Sequence, residues 1–295
     1  MKSLYPVSFD SLQAWAAENK VPPSEVGVRF AQFAILRAIA SSHALRTLLV
    51  FKGGNALDFV WQANRSTRDL DFSIDMTEES TNPPIDTLRE LLAPALRTST
   101  QFLGVMLHVH RIEQQPPGPD KTFITYKIPI GYALPDETKL RARMEEGRPS
   151  TNVIPVDVSL NEPICADEYV SIDATHQLRV STVEDIVAEK LRALLQPPIR
   201  NRTRRQDLLD IAVILRTQPD LDRRRVGRFL IEKAHARNVP VSRAAFCSPE
   251  VAERARQGYA ELAGMTRVIF VPFDEAIQAV YALVDELDIP DTDEF

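Results

Sequence analysis

The chain has 295 residues, of which 44% are hydrophobic, and its formal net charge is −6. This length and composition indicate a globular protein with one large domain or two smaller ones, and the negative charge argues against a general nucleic-acid coat, which needs a basic surface. No apolar run approaches the roughly 20 residues of a membrane helix, and the N terminus lacks the apolar core of a secretory signal. We therefore expect a cytoplasmic protein without membrane contact.

The first 75 residues predict a buried strand that runs into a tight turn. Leu48 to Phe51 form an apolar run that meets Gly53 and Gly54, a pattern typical of a strand followed by a turn and a helix. Apolar residues then alternate with acidic and polar ones over residues 69–75, which predicts a strand with one core face and one acidic face. Helical spacing predicts two helices before these strands, at residues 8–18 and 24–40.

The pattern stays mixed as far as residue 180. Residues 84–96 predict a helix, which Pro94 is expected to kink or to end early. Residues 102–112 and 121–130 are strand-like and could pair as a hairpin around a proline-rich loop. Residues 152–160 alternate again, with Asp157 on the polar side.

From Ser181 onward the pattern is helical, starting with the capping box Ser181-Thr182-Val183-Glu184. We therefore predict an α/β domain with N-terminal helices over residues 1–180 and a helical domain over residues 181–295. Helices are predicted at residues 182–196, 205–216, 223–237, 249–262 and 274–287.

Asp69 and Asp71 are the first candidate site residues. Two residues apart on a strand, they emerge on the same face with Cα atoms about 6.5 to 7 Å apart. Such carboxylates repel one another unless a cation binds between them, and hard oxygen ligands of this kind select Mg²⁺ or Mn²⁺. The alternative is a solvated strand face.

Further residues can complete such a site. Without side chains, Gly53 and Gly54 let the backbone approach a phosphate, although a glycine pair can also be only a turn. Asp157 adds a third carboxylate if its strand lies beside that of Asp71. Lys190 lies along the apolar face of its helix, where it either reaches out to water or points into a pocket. Asp207 and Asp210 share one side of the next helix, and Asp207 can also serve the helix dipole.

Two groups of arginines interrupt the acidic sequence. They are solvated helix faces or contacts to phosphate or RNA, and the sequence leaves both open. The first group precedes the helix of Asp210 and the second opens another helix: Arg200, Arg202, Arg204 and Arg205, then Arg223, Arg224, Arg225 and Arg228.

Four segments of the chain, in order, resemble the motifs of the AbiEii-type nucleotidyltransferase toxin family, a branch of the DNA polymerase β-like nucleotidyltransferases. Residues 51–57 resemble a Gly-Gly-Thr/Ser-Ala-Leu motif, and residues 65–72 an Arg-x-Ser/Thr-x-Asp-Leu-Asp-Phe motif. Residues 184–190 resemble a lysine-bearing motif, and residues 202–210 one that closes with Asp-x-x-Asp. The resemblance implies a nucleotidyltransferase core, with a mixed sheet flanked by helices, followed by a helical C-terminal domain.

The resemblance also implies roles for the candidate residues. Asp69, Asp71 and Asp157 would hold Mg²⁺ or Mn²⁺. Lys190 and Asp210 of the helical domain would complete a catalytic set with Asp69 and Asp71. The nucleotide would be bound by Gly53, Gly54, Asn55, Arg65 and Asp207.

Two positions depart from the family pattern. Asn55 stands where the family has a hydroxyl residue, and its amide is expected still to donate to phosphate. Gln206 stands where an arginine is common, and Arg204 or Arg205 could substitute for it.

By this resemblance the chain is a toxin of a toxin-antitoxin or abortive-infection system with a neighbouring antitoxin as partner. It would transfer a nucleoside monophosphate from an NTP to the 3′ end of tRNA and so block translation. Two alternatives remain: transfer to a protein or small-molecule hydroxyl, and binding of an NTP or a partner without turnover. The preferred base and the oligomeric state are left open.

Overall fold

The computed structural model describes residues 5–74, 83–118, 123–196 and 203–292, which fold into two compact units. The first, called here the sheet unit, comprises residues 1–60, 67–162 and 168–180. The second, the helical unit, comprises residues 61–66, 163–167 and 181–295. Two short segments that precede residue 181 therefore belong to the helical unit.

The sheet unit begins with helices and continues as a mixture of strands and helices. Its helices are α1 (Leu12–Glu18), α2 (Pro23–Ser41), α3 (His43–Leu48), α4 (Gly53–Ala56), α5 (Ile85–Leu103) and α6 (Thr138–Glu145). The strands of the chain are β1 (Leu49–Lys52), β2 (Leu70–Ile74), β3 (Met106–Val109), β4 (Glu113–Gln115), β5 (Thr125–Ala133), β6 (Val153–Ser159), β7 (Asp167–Ser171) and β8 (Gln177–Ser181).

These strands form one mixed sheet in the order β3-β5-β6-β2-β1-β8-β7, with β4 paired to β5. Strand β2 lies at the centre, antiparallel to β1 and parallel to β6, and β5 is antiparallel to β6. The alternation of β2 buries Leu70 and Phe72, and Phe72 packs against Phe51 of β1 with ring centroids 5.1 Å apart. One face of the central strands is thereby fixed in the core, which leaves the opposite face for polar residues.

The helical unit consists of α7 (Val183–Leu195), α8 (Arg205–Thr217), α9 (Arg223–Ala236), α10 (Arg243–Phe246), α11 (Pro249–Arg256) and α12 (Phe273–Glu286), with a 3₁₀ helix at Tyr259–Met265. The hydroxyl of Thr182 caps α7 by accepting a hydrogen bond from the amide of Asp185 at 3.3 Å, which satisfies an amide that the helix itself leaves unpaired. Helix α7 packs against α8 and α9, and α8 against α12. None of the described helices has the length and apolar character needed to cross a bilayer.

The predicted fold class is confirmed, since a mixed sheet is flanked by helices. The predicted antiparallel pairing is confirmed as well, because β3 pairs with β5, but residues 102–103 of the predicted first strand belong to α5. Strands β7 and β8 and helices α3, α6 and α10 were not predicted. Residue 75 and residues 121–122, which the predicted strands included, lie outside the described residues.

Pro94 does not end its helix early, so that part of the prediction was wrong. Helix α5 continues to Leu103 and stops at Gly104, whose φ of 72° is left-handed. Leu88, Leu92 and Leu96 form a buried stripe, and α5 packs against α2. Because proline removes a single intrahelical hydrogen bond, this burial outweighs its effect.

We expect Gly131→Ala to lower the free energy of unfolding by about 1–3 kcal/mol, because a methyl group there would collide with the ring of His110. That ring cannot move freely, since its Nε2 accepts a hydrogen bond from the amide of Ser150 at 3.2 Å. Urea unfolding measures the change, with Gly264→Ala as the control because its methyl group would enter open space in the described part of the chain. Equal stability of the two variants would contradict the packing described for β5.

Candidate active site

Four charged side chains form a row across the middle of the sheet. In order across β5, β6, β2 and β1 they are Lys127, Asp157, Asp71 and Lys52. Each is paired in register with its neighbour, Lys127 with Asp157, Asp157 with Asp71 and Asp71 with Lys52. Residues paired in this way point to the same face of a sheet, so two carboxylates lie side by side between two lysines. We call these four residues the charged row.

The turn after β1 lies directly against Asp71. Gly53 has a φ of 75°, and a Cβ atom at this position would lie 2.7 Å from Oδ2 of Asp71. Only glycine meets both conditions, since other residues disfavour this φ and would also displace the carboxylate. The sheet unit therefore brings the Gly53 backbone and the Asp71 carboxylate together, as the sequence patterns suggested.

The carboxylates of this region share an unfavourable environment. Burial raises the pKa of Asp71 to about 6; Lys52 and Lys127 oppose the shift, and Asp157 and Asp69 add to it. Asp69 lies just ahead of β2, not within it, and is more exposed than Asp71; its pKa is also raised, first by partial burial and then by Asp157. A group that is buried near like charges is costly to ionise, and a bound cation would remove that cost.

Both lysines of the charged row have ion-pair partners. Lys52 pairs with Glu162, and Lys127 pairs with Asp157. Sequence reasoning missed Lys52, Lys127 and Glu162 as residues of this site. The alternation of β5 places Lys127 opposite the buried Tyr126 and Ile128, but only the strand register reveals that it faces Asp157.

The carboxylates fit a hard divalent cation in donor type and charge. Asp69 and Asp71 would supply oxygen ligands, and the burial that raises the pKa of Asp71 makes its negative charge costly unless a cation lies nearby. As the side chains stand, no group of three or more His, Cys, Asp or Glu residues within the described ranges is arranged to hold a metal ion. Asp157, predicted as the third metal ligand, is held by Lys127.

Asn55, predicted to donate to phosphate, donates instead to the protein backbone. It is fully buried, and its Nδ2 donates to the carbonyl oxygens of Asp69 at 2.6 Å and of Thr67 at 2.9 Å. Its Oδ1 accepts a hydrogen bond from Arg29 at 3.1 Å. Asn55 therefore ties the start of α4 to the segment that carries Asp69.

Two residues of helix α2, Arg29 and Gln32, also hold the segment ahead of Asp69. Arg29 lies over the ring of Phe59 and forms a 2.7 Å ion pair with Asp58. Gln32 donates to the carbonyl oxygens of Thr67 at 2.9 Å and Arg68 at 3.0 Å. The hydrogen bonds of Gln32 and Asn55 to these carbonyl oxygens hold the backbone ahead of Asp69 in position. The sequence gives no signal for this network, because Arg29 and Gln32 stand among apolar residues of a predicted helix.

The helical unit contains a second buried cluster, called here the lysine cluster. Nζ of Lys190 donates to Asp210 at 2.8 Å and to Asp207 at 3.0 Å, and Arg65 donates to Asp210 at 2.9 Å. Burial opposes ionisation of Asp210, yet Lys190 and Arg65 hold its pKa below the ordinary value. Burial likewise favours a neutral Lys190, but Asp210 and Asp207 raise its pKa. Lys190 and Asp210 therefore stay charged at neutral pH.

Asn64 holds the segment that carries Arg65. Its Oδ1 accepts a hydrogen bond from the amide of Ile269 at 2.8 Å, and its Nδ2 donates to the carbonyl oxygen of Ile269 at 2.9 Å. The amide of Arg267 donates to the carbonyl oxygen of Asn64 at 2.8 Å. Because Arg65 is fixed in this way, it reaches Asp210 at an angle that allows two hydrogen bonds.

The described arginines of the first basic group, Arg204 and Arg205, bind to other residues of the helical unit. Arg204 adopts a left-handed φ of 59° at the start of α8 and donates to Gln196 at 3.3 Å. Arg205 forms a 2.6 Å ion pair with Glu261. Arg200 and Arg202 lie outside the described residues. The predicted site residues thus occupy two clusters, one in each unit.

A family model described as nucleotidyl transferase AbiEii toxin of type IV toxin-antitoxin systems matches residues 34–279, which include every predicted site residue. The chain belongs to the AbiEii family. It is accordingly a nucleotidyltransferase toxin of the type IV toxin-antitoxin class, and membership implies an antitoxin as partner.

Two solved structures resemble this AbiEii protein. A proposed nucleotidyltransferase from H. pylori has 13% sequence identity and a TM-score of 0.50, and the match covers 90% of this chain and 95% of that chain. JHP933 from Helicobacter pylori has 14% identity and the same TM-score, with 90% and 91% covered. At this identity the likeness concerns the fold alone. Among the curated proteins, no match was found.

We expect Gly53→Ala to reduce nucleotidyl transfer at least tenfold, because the added methyl group pushes the carboxylate of Asp71 out of position. The control is Gly147→Ala, since Gly147 has a φ of 78° but its methyl group would meet open space in the described part of the chain. Both variants should lose about 1 kcal/mol of stability through backbone strain. Pyrophosphate release measures the activity, and equal activity of the two variants would refute the role of the Gly53 contact.

We expect Lys190→Met to lower the free energy of unfolding by about 3 kcal/mol, since it removes the buried lysine from Asp207 and Asp210 and leaves Asp210 with Arg65 alone. Urea unfolding measures the loss, with Lys139→Met, at an exposed lysine of α6, as the control. A loss below 1 kcal/mol would show that the lysine cluster contributes little to the stability of the helical unit.

Proposed function

We propose that the protein transfers a nucleoside monophosphate from an NTP to the 3′ end of tRNA, with Mg²⁺ or Mn²⁺ as cofactor, and so blocks translation. The observation that carries the proposal is the contact between the Gly53 turn and Asp71. It puts backbone groups suited to phosphate beside a carboxylate that needs a cation.

Different residues of the sheet unit would bind the cation and the triphosphate. Asp69 and Asp71 would hold the cation, which when bound supplies positive charge to the triphosphate oxygens and makes the α-phosphorus more electrophilic. The amides of Gly53 and Gly54 would donate to the triphosphate. The Asn55 side chain has no part in this, because its hydrogen bonds go to the Asp69 and Thr67 carbonyl oxygens and it serves to position Asp69.

The reaction is a substitution at the α-phosphorus. A hydroxyl oxygen of the acceptor forms a bond to this phosphorus, the bond to the bridging oxygen of the β-phosphate breaks, and pyrophosphate leaves. The proton of the hydroxyl passes to water. Positioning and charge stabilisation are what the protein supplies, as is usual for phosphoryl transfer.

The tRNA acceptor rests on the family resemblance and on exposed arginines. Arg224 and Arg228 are exposed on α9, where they can contact phosphate. Arg204 and Arg205 support the proposal less than their sequence position suggested, because they have partners within the helical unit. The role of Lys190, Asp207, Asp210 and Arg65 in the same reaction stays a prediction, as does the cytoplasmic location.

The test is transfer of label from each NTP, α-³²P labelled, to total tRNA in the presence of Mg²⁺. We expect transfer by the wild type, a loss of at least about 100-fold in Asp71→Asn, and no loss in Asp136→Asn, a change at an exposed aspartate. Parallel reactions offer total protein and small-molecule alcohols as acceptors. Transfer only to these would overturn the tRNA assignment, and no transfer to any acceptor would overturn the proposed activity.

A further inference from the structure

Lys127 is the least expected member of the charged row. It reaches Asp157 from the neighbouring strand and forms an ion pair, with 37% of the lysine side chain and 18% of the aspartate side chain exposed. Lys127 also lowers the pKa of both Asp69 and Asp71, so it is close enough to act on all three carboxylates.

The two lysines of the row differ in what they neutralise. Lys52 pairs with Glu162, which lies outside the row, and its side chain is only 15% exposed. Lys127 pairs with a member of the row itself and is the more exposed of the two. A partly exposed ion pair is weaker than a buried one, and a divalent cation between carboxylates binds more strongly than a single ammonium group.

We propose that Lys127 is the built-in counter-ion of Asp157 and that Asp157 joins Asp69 and Asp71 around a divalent cation only when Lys127 releases it. The inference rests on the proposed metal dependence and deepens it. Before the cation binds, Lys127 reduces the repulsion among the carboxylates. The cation must then displace Lys127 from Asp157, so Lys127 lowers the affinity for the cation.

The displacement has a measurable cost. A neutral residue in place of Lys127 removes one positive charge from beside the three carboxylates. Asp157 is then free to attract the cation, and the affinity for the cation rises. Lys127 competes with the cation mainly through its ion pair with Asp157, so removing Asp157 should remove most of the effect of Lys127. This dependence separates local competition from a general change in surface charge.

The experiment is calorimetric titration of the protein with Mn²⁺ in the absence of NTP. We expect Lys127→Met to bind Mn²⁺ about tenfold more tightly than the wild type. Lys127→Arg should keep affinity near that of the wild type, because it preserves the ion pair. Lys139→Met, an exposed change on α6, is the matched control for the loss of one positive charge.

Two further variants make the result decisive. In an Asp157→Asn background, adding Lys127→Met should change the Mn²⁺ affinity less than twofold. If Asp71→Asn abolishes Mn²⁺ binding but Lys127→Met binds as the wild type does, the role of Lys127 is refuted and the proposed metal site stands. If Mn²⁺ binding is absent or indifferent to Asp71→Asn, the metal site and the role of Lys127 both fall.

Discussion

The repulsion between neighbouring carboxylates at the centre of the sheet is the constraint on which the proposed site depends. The register of β2 and β6 puts Asp71 beside Asp157, and burial raises the pKa of Asp71 to about 6. A protein evolved for stability alone would place apolar or paired residues there, because unpaired buried charge is costly. The sheet unit tolerates the arrangement because Lys52 and Lys127 flank it.

The surroundings of the carboxylates are built to hold them in place. The Gly53 turn lies so close to Asp71 that a Cβ atom there would be 2.7 Å from its Oδ2, and Asn55, Gln32 and Arg29 hold the backbone that leads to Asp69. Each of these side chains is buried and hydrogen-bonded, so the network is rigid. Such rigidity suits a reaction in which the protein contributes position and charge more than covalent chemistry.

The sequence predicted those parts of the fold and site that depend on local pattern. The alternation of β2 and β6, the strand that leads into Gly53 and the start of α7 are readable along the chain, although the residue that caps α7 is Thr182, one position after the predicted Ser181. Features that depend on long-range contacts were not readable. Helix α5 continues past Pro94 because it packs against α2. Lys127 faces Asp157 only because of the register between β5 and β6. Asn55 was misjudged for the same reason, since its partners, Arg29 and the carbonyl oxygens of residues 67 and 69, come from other elements.

The central claim is that the Gly53 turn and the Asp69–Asp71 carboxylates together bind a metal-bound triphosphate. Calorimetric binding of a non-hydrolysable NTP analogue, with and without Mg²⁺, tests it most directly because no acceptor or turnover is needed. The account predicts that Mg²⁺ increases the affinity of the wild-type protein at least tenfold and that Asp71→Asn removes this increase. An analogue that binds equally well with and without Mg²⁺, or equally well to both proteins, would contradict it.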